Sequence, residues 1–288
     1  MRDFGSNYKK IYGLVSEDIA KVNNRVIKEF SEDKVLSDKL REYLKAPSKH
    51  IRAVLSFLYL RSLGLEIDEK QILFQSVIEM IHNASLIHDD VIDESQIRRG
   101  NLSLNSSAGN HIAVILGDYV ISKALNLVCE LDNTRIYELF SKTMSEMCIG
   151  EVMQYNSLYK ITTIEEYLVK TYKKTATLFE MALYGALYIS GSDCHRAVSF
   201  AKNFGIAFQL RDDIKNIVEN IADSDIKNGV YTAPVIFSGS VETYSSGIEK
   251  AVGLSDNYIH NAKKELDNIG QSEYKTALIE LTELLRYE

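Results

Sequence analysis

The stretch LIHDDVIDESQIRRG, residues 86–100, ends an apolar helical pattern in three aspartates and places two arginines just beyond them. Asp89 and Asp93 are four residues apart, so on a helix they lie on one face. Like charges at this spacing repel each other, and the end of a helix disfavours anions. Alone, the stretch is compatible with a solvated acidic helix end or with a metal site.

A second stretch of the same character favours the metal site. FQLRDDIKN, residues 208–216, ends another apolar helical run in the pair Asp212 and Asp213. Two helices that end in paired carboxylates can face each other across a cleft. Carboxylates from two sides, completed by water and substrate phosphates, are the ligands that suit Mg²⁺.

Basic side chains that could hold those phosphates occur along the chain. They are Lys49, Arg52, Arg98, Arg99 and Lys174, the last followed by Thr175. The three-residue spacing of Lys49 and Arg52 predicts that both lie on one face of a helix. His82 precedes Asp89 by two helical turns on the same face. Each residue alone is compatible with an ordinary surface or core position, but together they predict a phosphate site.

Helical periodicity dominates the chain and predicts an all-α fold. Apolar residues recur at three- and four-residue steps over 72–87. Similar patterns cover 8–30, 112–130, 134–157, 164–189, 194–217, 247–252 with 256–268, and 273–286. The chain has only two prolines and no segment typical of a linker, so we expect one domain over residues 1–288. A ligand site would then lie between facing helices.

Composition excludes several classes of function. The 288 residues carry a net charge of -7, which argues against a nucleic-acid partner. Three cysteines without a CxxC spacing argue against a zinc site or a disulfide framework, and we expect Cys129, Cys148 and Cys194 to be buried. The N-terminus lacks an apolar signal segment, and no run of 18 apolar residues occurs. We therefore expect a cytoplasmic protein without a membrane span.

Five short motifs, in order, resemble those of the trans-isoprenyl diphosphate synthases, also called polyprenyl synthetases. They are LIHDDVID with RRG, GEVMQ (150–154), KTATLF (174–179), FQLRDDIKN and DIKNGVYTAPVI (225–236), and the resemblance covers roughly 45–235. It implies a large bundle of antiparallel helices around a deep central cavity, usually a homodimer. The implied activity is head-to-tail condensation of isopentenyl diphosphate with an allylic diphosphate.

The resemblance also implies roles for individual residues. The direct Mg²⁺ ligands would be Asp89, Asp93 and Asp212, supported by Asp90 and Asp213, with three Mg²⁺ ions per site when substrate is bound. The allylic diphosphate would be held by Arg98, Lys174, Thr175 and Gln209. Isopentenyl diphosphate would be held by Lys49, Arg52, His82 and Arg99, and Gln154 would lie near the reacting centre. Asp89, Asp93, Arg98, Lys174 and Asp212 are thus the candidate catalytic residues.

The chain departs from the family pattern at several positions. The family's GGKRxRP reads PSKHIRA (47–53), the third acid of the second motif is Asn216, and the lysine of GKxT is Val230. The loop 217–224 is short and lacks a further lysine that often grips the diphosphate. These changes weaken the allylic side of the site, whereas the isopentenyl side is better preserved.

Small residues one turn before the first aspartate predict a long product. In this family bulky aromatics at the positions of Ala84 and Ser85 stop the chain at fifteen carbons, so geranylgeranyl or longer products are expected. Phe140, Met144 and Met147 could form a deeper floor or belong to the ordinary core.

Three alternatives remain open at this stage. The same fold and metals support terpene cyclisation, although a cyclase has no use for a second diphosphate site. The chain could also be a non-catalytic subunit of a heteromeric prenyl synthase. The ExxH formed by Glu79 and His82 is typical of di-iron bundles, but these need two such motifs and the chain has one.

Overall fold

The computed structural model describes residues 4–30, 37–193, 195–219 and 226–287. Across these ranges almost every element is helical, and the only strands are β1 (Ile97–Arg98) and β2 (Asn101–Leu102), which pair antiparallel. The all-α prediction is therefore confirmed. The helices are α1 (Phe4–Gly13), α2 (Ser16–Glu29), α3 (Ser37–Lys45), α4 (Ile51–Ser62), α5 (Glu69–Ile92), α6 (Leu104–Ala108), α7 (Asn110–Glu130), α8 (Thr134–Asn156), α9 (Ile164–Thr171), a π-helical turn (Tyr172–Ala176), α10 (Thr177–Ile189), α11 (His195–Val218), α12 (Ala233–Ser238), α13 (Ser245–Glu265) and α14 (Glu273–Glu283).

The core lies where α4, α5, α10 and α11 pack together. Phe179 on α10 contacts Phe204 on α11, and both rings are fully buried. Two buried amides tie α5 to α10: Gln71 Nε2 donates to the Ala186 carbonyl at 2.7 Å, and Gln75 donates similarly to α10 one turn earlier. Because buried polar groups need their partners, these bonds fix the register of the two helices.

Helix α5 carries the first aspartates to the edge of this core. Asp68 caps its first turn by accepting from the Gln71 amide at 2.9 Å. After α5, the segment 98–111 contains most of a hairpin and the short helix α6. Arg99 and Gly100, at φ +53° and +81°, form the two-residue turn between β1 and β2. Positive φ at both positions of such a turn explains the glycine of RRG.

Several sequence expectations about helix boundaries were wrong. The predicted helix 8–30 is two helices, α1 and α2, broken at 14–15. Lys49 precedes the first residue of α4, and His50 between them has φ +49°, so Lys49 and Arg52 do not share a helix face. Periodicity missed α4 because this helix is buried on nearly every side and has no polar face.

The cysteines also differ from expectation. Cys129 and Cys148 are exposed rather than buried: Cys129 lies near the end of α7, and Cys148 on α8 lines a cavity described below. Cys194 and most of the predicted loop 217–224 lie outside the described residues.

Helix α7 has the length and hydropathy of a membrane span, and in the described part of the chain it alone does. The sequence shows no unbroken run of 18 apolar residues, because Asp118 and Lys123 interrupt the pattern. In the structure α7 packs along α5, and Gly117 leaves room for the His88 ring. The cellular location of the protein stays a prediction.

Candidate active site

Two adjoining cavities lie at the carboxyl-terminal end of α5. The polar cavity has a volume of about 530 Å³ and is lined by Asp93, Glu94, Ser95, Gln96, Gln154, Lys170, Thr171, Lys174, Thr175, Gln209, Asp213, Asn216, Asn228, Val230 and Thr232. The apolar cavity has a volume of about 370 Å³ and is lined by Arg52, Ile81, His82, Ser85, Leu86, His88, Asp89, Ile92, Ile121, Met144, Met147, Cys148, Glu151, Lys174, Thr175, Phe208, Gln209 and Asp212. Lys174, Thr175 and Gln209 line both, so they mark the junction between the cavities.

Asp89 and Asp93 lie one turn apart at the end of α5, as the spacing predicts. The Asp93 amide donates to the Asp89 carbonyl at 2.8 Å, which extends the helical pattern to Asp93. Burial raises the pKa of Asp89 to about 6, and the Lys174 ammonium opposes this effect. Burial also raises the pKa of Asp93, again against Lys174. Because burial disfavours the negative charge of both carboxylates, a bound cation would stabilise their ionised forms.

Asp90 faces away from these two and makes an internal ion pair. It is fully buried, and its Oδ1 accepts from Arg98 Nε at 2.8 Å and from the Arg98 Nη2. The Asn105 side chain donates to the Asp90 carbonyl at 3.0 Å. The pair fixes the β1–β2 hairpin against α5, so here Arg98 stabilises structure and lines neither cavity.

The two residues of the second aspartate pair also differ. The Asp212 side chain is 46% exposed and lines the apolar cavity, and burial together with Asp213 raises its pKa. Asp213 is buried: Tyr167 donates to its Oδ2 at 2.6 Å and Gln209 Nε2 to its Oδ1 at 2.8 Å. Burial raises the pKa of Asp213, while Lys170 acts against it. Asp212 thus lines the apolar cavity, whereas Asp213 lines the polar cavity and is held in place by two hydrogen bonds.

The donor set fits a hard divalent cation that binds with its substrate. No group of three His, Cys, Asp or Glu side chains forms a ready-made metal site in the ranges the structure describes. Asp89, Asp93 and Asp212 present carboxylate oxygens with raised pKa values instead. Magnesium commonly binds through one or two carboxylates and completes its shell with water and phosphate oxygens.

The π-helical turn presents Lys174 and Thr175 at the cavity junction. Thr175 Oγ1 donates to Gln209 Oε1 at 2.9 Å, and Lys174 forms an ion pair with Glu151 on α8. Glycines press against the turn from both sides: a Cβ at Gly150 would lie 2.5 Å from the Lys174 nitrogen, and one at Gly205 would lie 2.7 Å from the Ala176 Cα. The predicted helix 164–189 is therefore interrupted where it presents Lys174 and Thr175 to the two cavities.

Arg52 and His82 meet at the apolar cavity. The Arg52 guanidinium lies 4.5 Å from the centre of the Phe179 ring, and its Nε is buried without a partner among the described residues. Burial lowers the pKa of Arg52 to about 10, with Glu79 opposing. Burial, and next the Arg52 charge, hold the pKa of His82 well below its usual value, so the imidazole is neutral.

The other two residues of the predicted isopentenyl site do not line the apolar cavity. Lys49 is exposed just before α4. Its partial desolvation by the surrounding protein lowers its pKa, and the Asp212 charge opposes this effect. Arg99 lines a neighbouring cavity of about 480 Å³ together with Arg98 and Tyr43. The structure brings together Arg52 and His82, but it does not bring Lys49 and Arg99 into the same cavity.

The expected positions for chain-length control also separate. Ser85 lines the apolar cavity, as do Met144 and Met147, whereas Ala84 and Phe140 are buried in the core. The Ser85 hydroxyl donates to the His82 carbonyl at 2.9 Å, so only its small side chain stands at the wall.

Sequence reasoning missed several residues that shape the site. Glu151 pairs with Lys174 and raises the pKa of Asp89; its only signal was its place in GEVMQ. Tyr167 holds Asp213, and nothing in the sequence pointed to it. Glu79 of the single ExxH bonds to His50 Nδ1 at 2.9 Å, so that motif belongs to a buried pair joining α4 and α5.

Known proteins resemble this chain in sequence and in fold. The sequence model described as Polyprenyl synthetase matches residues 33–269. A solanesyl-diphosphate synthase 2 (chloroplastic) from Oryza sativa subsp. japonica is 33% identical, over 78% of this chain and 60% of that protein. An octaprenyl diphosphate synthase from Haemophilus influenzae is 30% identical, over 96% of this chain and 95% of that protein. The fold matches a polyprenyl synthase from Caulobacter crescentus, crystallised with calcium and isoprenyl diphosphate, with a TM-score of 0.85, 23% identity and coverage of 96% and 97% of the two chains.

Proposed function

The chain belongs to the polyprenyl synthetase family of prenyltransferases, and we propose that it is a trans-polyprenyl diphosphate synthase. It would join isopentenyl diphosphate head to tail to an allylic diphosphate and release a product of geranylgeranyl length or longer. One observation carries this proposal: Lys174, Thr175 and Gln209 stand where a polar, carboxylate-lined cavity meets an apolar one. An allylic diphosphate has the same two halves, an anionic head and a hydrocarbon tail.

In this proposal the diphosphate head lies in the polar cavity at its junction with the apolar one, with Asp93 lining the polar cavity and Asp89 and Asp212 lining the apolar one. Asp89, Asp93 and Asp212 would hold Mg²⁺, three ions per site by family analogy, and the bound metal would neutralise the departing diphosphate. The Lys174 ammonium would exchange Glu151 for a phosphate oxygen, and the Thr175 hydroxyl and Gln209 amide would fix its orientation. These charges act most strongly as the allylic C–O bond breaks, because negative charge then develops on the head.

The apolar cavity would hold the hydrocarbon tail and exclude water. Met144, Met147 and Phe208 supply apolar walls close to the reacting carbon. A dry wall matters because water would capture the allylic cation before the second substrate does. The isopentenyl double bond then forms the new C–C bond, and the departing diphosphate is the expected acceptor of the released proton.

Arg52 and neutral His82 favour elongation over cyclisation. They would bind the second diphosphate, and the unpartnered Arg52 Nε offers a donor for it. A terpene cyclase, which uses one diphosphate substrate, has no need for these groups.

We further propose that two copies form a homodimer through α7 and α8. Large apolar side chains are exposed on both helices, among them Ile115 at 53% and Val152 at 58%. Within one copy, residues 1–288 would form one domain, which the packing of α1 against α14 supports.

The proposal is tested by incubating the purified protein with Mg²⁺, farnesyl diphosphate and labelled isopentenyl diphosphate and analysing the products. We expect label in linear prenyl diphosphates, and none when EDTA replaces Mg²⁺. Hydrocarbon formed from farnesyl diphosphate alone would favour a cyclase. Turnover only after a second polypeptide is added would favour the heteromeric subunit.

A further inference from the structure

The sequence around the π-helical turn contains the same residue pair twice. Residues 170–175 read KTYKKT, so Lys170-Thr171 precedes Lys174-Thr175 by four residues. Four residues are about one helical turn, which places the two pairs on one side of the segment. All four side chains line the polar cavity. The second pair is part of the motif, whereas the first has no assigned role.

Lys170 reaches the polar cavity without an ionic bond of its own. Its Nζ lies 4.9 Å from the centre of the Tyr167 ring, and it makes no hydrogen bond or ion pair among the residues that the structure describes. Surrounding protein lowers the pKa of this amine, and the Asp213 charge opposes the effect. Asp213 already accepts from Tyr167 and Gln209, so Lys170 is left to serve an anion in the cavity.

Val230 lines the same cavity at the position where the motif GKxT has lysine. The backbone there is well fixed. Gly229 has φ +79°, its carbonyl accepts from the Tyr159 amide at 2.9 Å, and a Cβ on it would lie 2.7 Å from Tyr159. Helix α12, which follows, packs against α9, which carries Lys170. Val230, which stands where the motif has a lysine, thus lies just before a helix that contacts the helix carrying Lys170.

The charges of the polar cavity leave a place for a second cation. Its walls carry Asp93, Glu94 and Asp213, and Lys174 is already paired with Glu151. A bound diphosphate adds negative charge to these carboxylates, and an ammonium group can share in neutralising it with the metal ions. A desolvated ammonium beside that position would add a charge-assisted hydrogen bond.

We propose that Lys170, with Thr171 beside it, binds the diphosphate in the polar cavity and replaces the cation absent at Val230. The proposal rests on the proposed function for the identity of the substrate, but not for the binding of the diphosphate itself. Lys170 is then a further substrate-binding residue of this chain.

Calorimetric titration of the full chain with inorganic diphosphate in MgCl₂ tests the assignment. Lys170→Met should weaken binding about ten- to a hundredfold, the range typical of a hydrogen bond to a charged group. Lys170→Arg should stay within about threefold of wild type, and Val230→Lys in the Lys170→Met background should recover most of the loss. Lys173→Met is the matched control: Lys173 pairs with Glu146 outside both cavities, so affinity should not change.

Steady-state kinetics separates this role from a purely structural one. Lys170→Met should raise KM for farnesyl diphosphate and leave KM for isopentenyl diphosphate unchanged, at an unaltered melting temperature. Equal diphosphate affinity in Lys170→Met and wild type, or no recovery by Val230→Lys, would overturn the assignment. A wild type that binds diphosphate through Lys170 but transfers no prenyl group would contradict the proposed function and leave this site intact.

Discussion

At the scale of single residues, adjacent aspartates have opposite environments. Asp89 lines a cavity, and its pKa is raised. Asp90 is fully buried and accepts a hydrogen bond from Arg98. On α11, Asp212 lines the apolar cavity, and Asp213 lines the polar cavity while it accepts hydrogen bonds from Tyr167 and Gln209. Asp89 and Asp212 have raised pKa values that a bound cation would lower, whereas Asp90 and Asp213 are anchored by hydrogen bonds. Substitutions at Asp89 and at Asp90 should therefore have different effects, the first on activity and the second on stability.

Asp89→Asn should remove activity while it stabilises the metal-free protein. Burial raises the pKa of Asp89 from 3.8 to about 6. The stability that its protonated form contributes is present below about pH 4 and is lost as pH rises through 6. Relative to wild type, Asp89→Asn should gain up to about 2 kcal/mol between pH 4 and 7. Urea denaturation in EDTA measures this gain, and turnover should fall at least roughly 100-fold.

Asp90→Asn serves as the matched control for that substitution. It breaks a buried ion pair, so it should lose about 3 kcal/mol of stability at neutral pH. If Asp89→Asn were instead no more stable than wild type at pH 7.5, the burial of Asp89 would not carry the energetic cost inferred here.

Sequence reasoning located the cavity residues better than their partners. Asp89, Lys174 and Gln209 could be predicted because motif order and helical spacing suffice to find them. The bond from Arg98 to Asp90 could not, since the hairpin that returns Arg98 to α5 depends on tertiary contacts. His50, whose positive φ separates Lys49 from α4, carried no signal for a non-helical conformation.

At the scale of elements, the π-helical turn is the feature on which the site depends. It lies between α9 and α10 and is contacted by α8 at Gly150 and by α11 at Gly205. Both contacts leave no room for a side chain, so the glycine of GEVMQ has a packing reason. Apolar periodicity runs through 164–189 without showing the turn, because one extra residue in a helix hardly changes the pattern.

Gly150→Ala should disturb both stability and substrate binding. The added Cβ would lie 2.5 Å from the Lys174 nitrogen and 2.9 Å from its Cα, so the backbone of the turn must move. We expect a loss of about 1–3 kcal/mol and a higher KM for the allylic diphosphate. Urea denaturation and initial rates measure the two effects.

Gly253→Ala on α13 provides the control for helical glycines. Nothing lies within 4 Å of a Cβ there, so alanine should stabilise the protein by up to about 1 kcal/mol through helix propensity. Equal effects of the two substitutions would argue that the close approach at Gly150 has no special role.

Ser85→Phe should shorten the product. Ser85 stands at the wall of the apolar cavity, and a phenyl ring there would take up much of its 370 Å³. Chromatography of the products should show a shift toward fifteen carbons, with transfer of the first isopentenyl unit retained. Ser246→Phe, at an exposed position of α13, should leave product length unchanged. An unchanged distribution in Ser85→Phe would mean that chain length is set elsewhere.

At the scale of the whole molecule, the exposed apolar faces of α7 and α8 are the surface of the proposed homodimer interface. Large patches of this kind usually mark interfaces. The hydropathy of α7 as a whole is high, yet one face packs on α5 and the other is open. Composition predicted that the helix would be apolar, but only the packing shows which residues face outward.

Ile115→Lys should disrupt the proposed homodimer. Ile115 is 53% exposed on α7, and lysine keeps helix propensity while placing a charge in a desolvated interface. Sedimentation or light scattering should show wild type as a dimer and the variant as a monomer. Leu63→Lys at the end of α4, where the side chain is 42% exposed, should remain dimeric. A monomeric wild type would refute the assembly without touching the chemistry.

The most direct test of the central claim is mass spectrometry of the products made by the purified chain alone. The substrates are farnesyl and isopentenyl diphosphates with Mg²⁺. The two-part cavity predicts intact linear diphosphates that grow in five-carbon steps to twenty carbons or more. Hydrocarbons, or release of inorganic diphosphate without carbon–carbon bond formation, would contradict it.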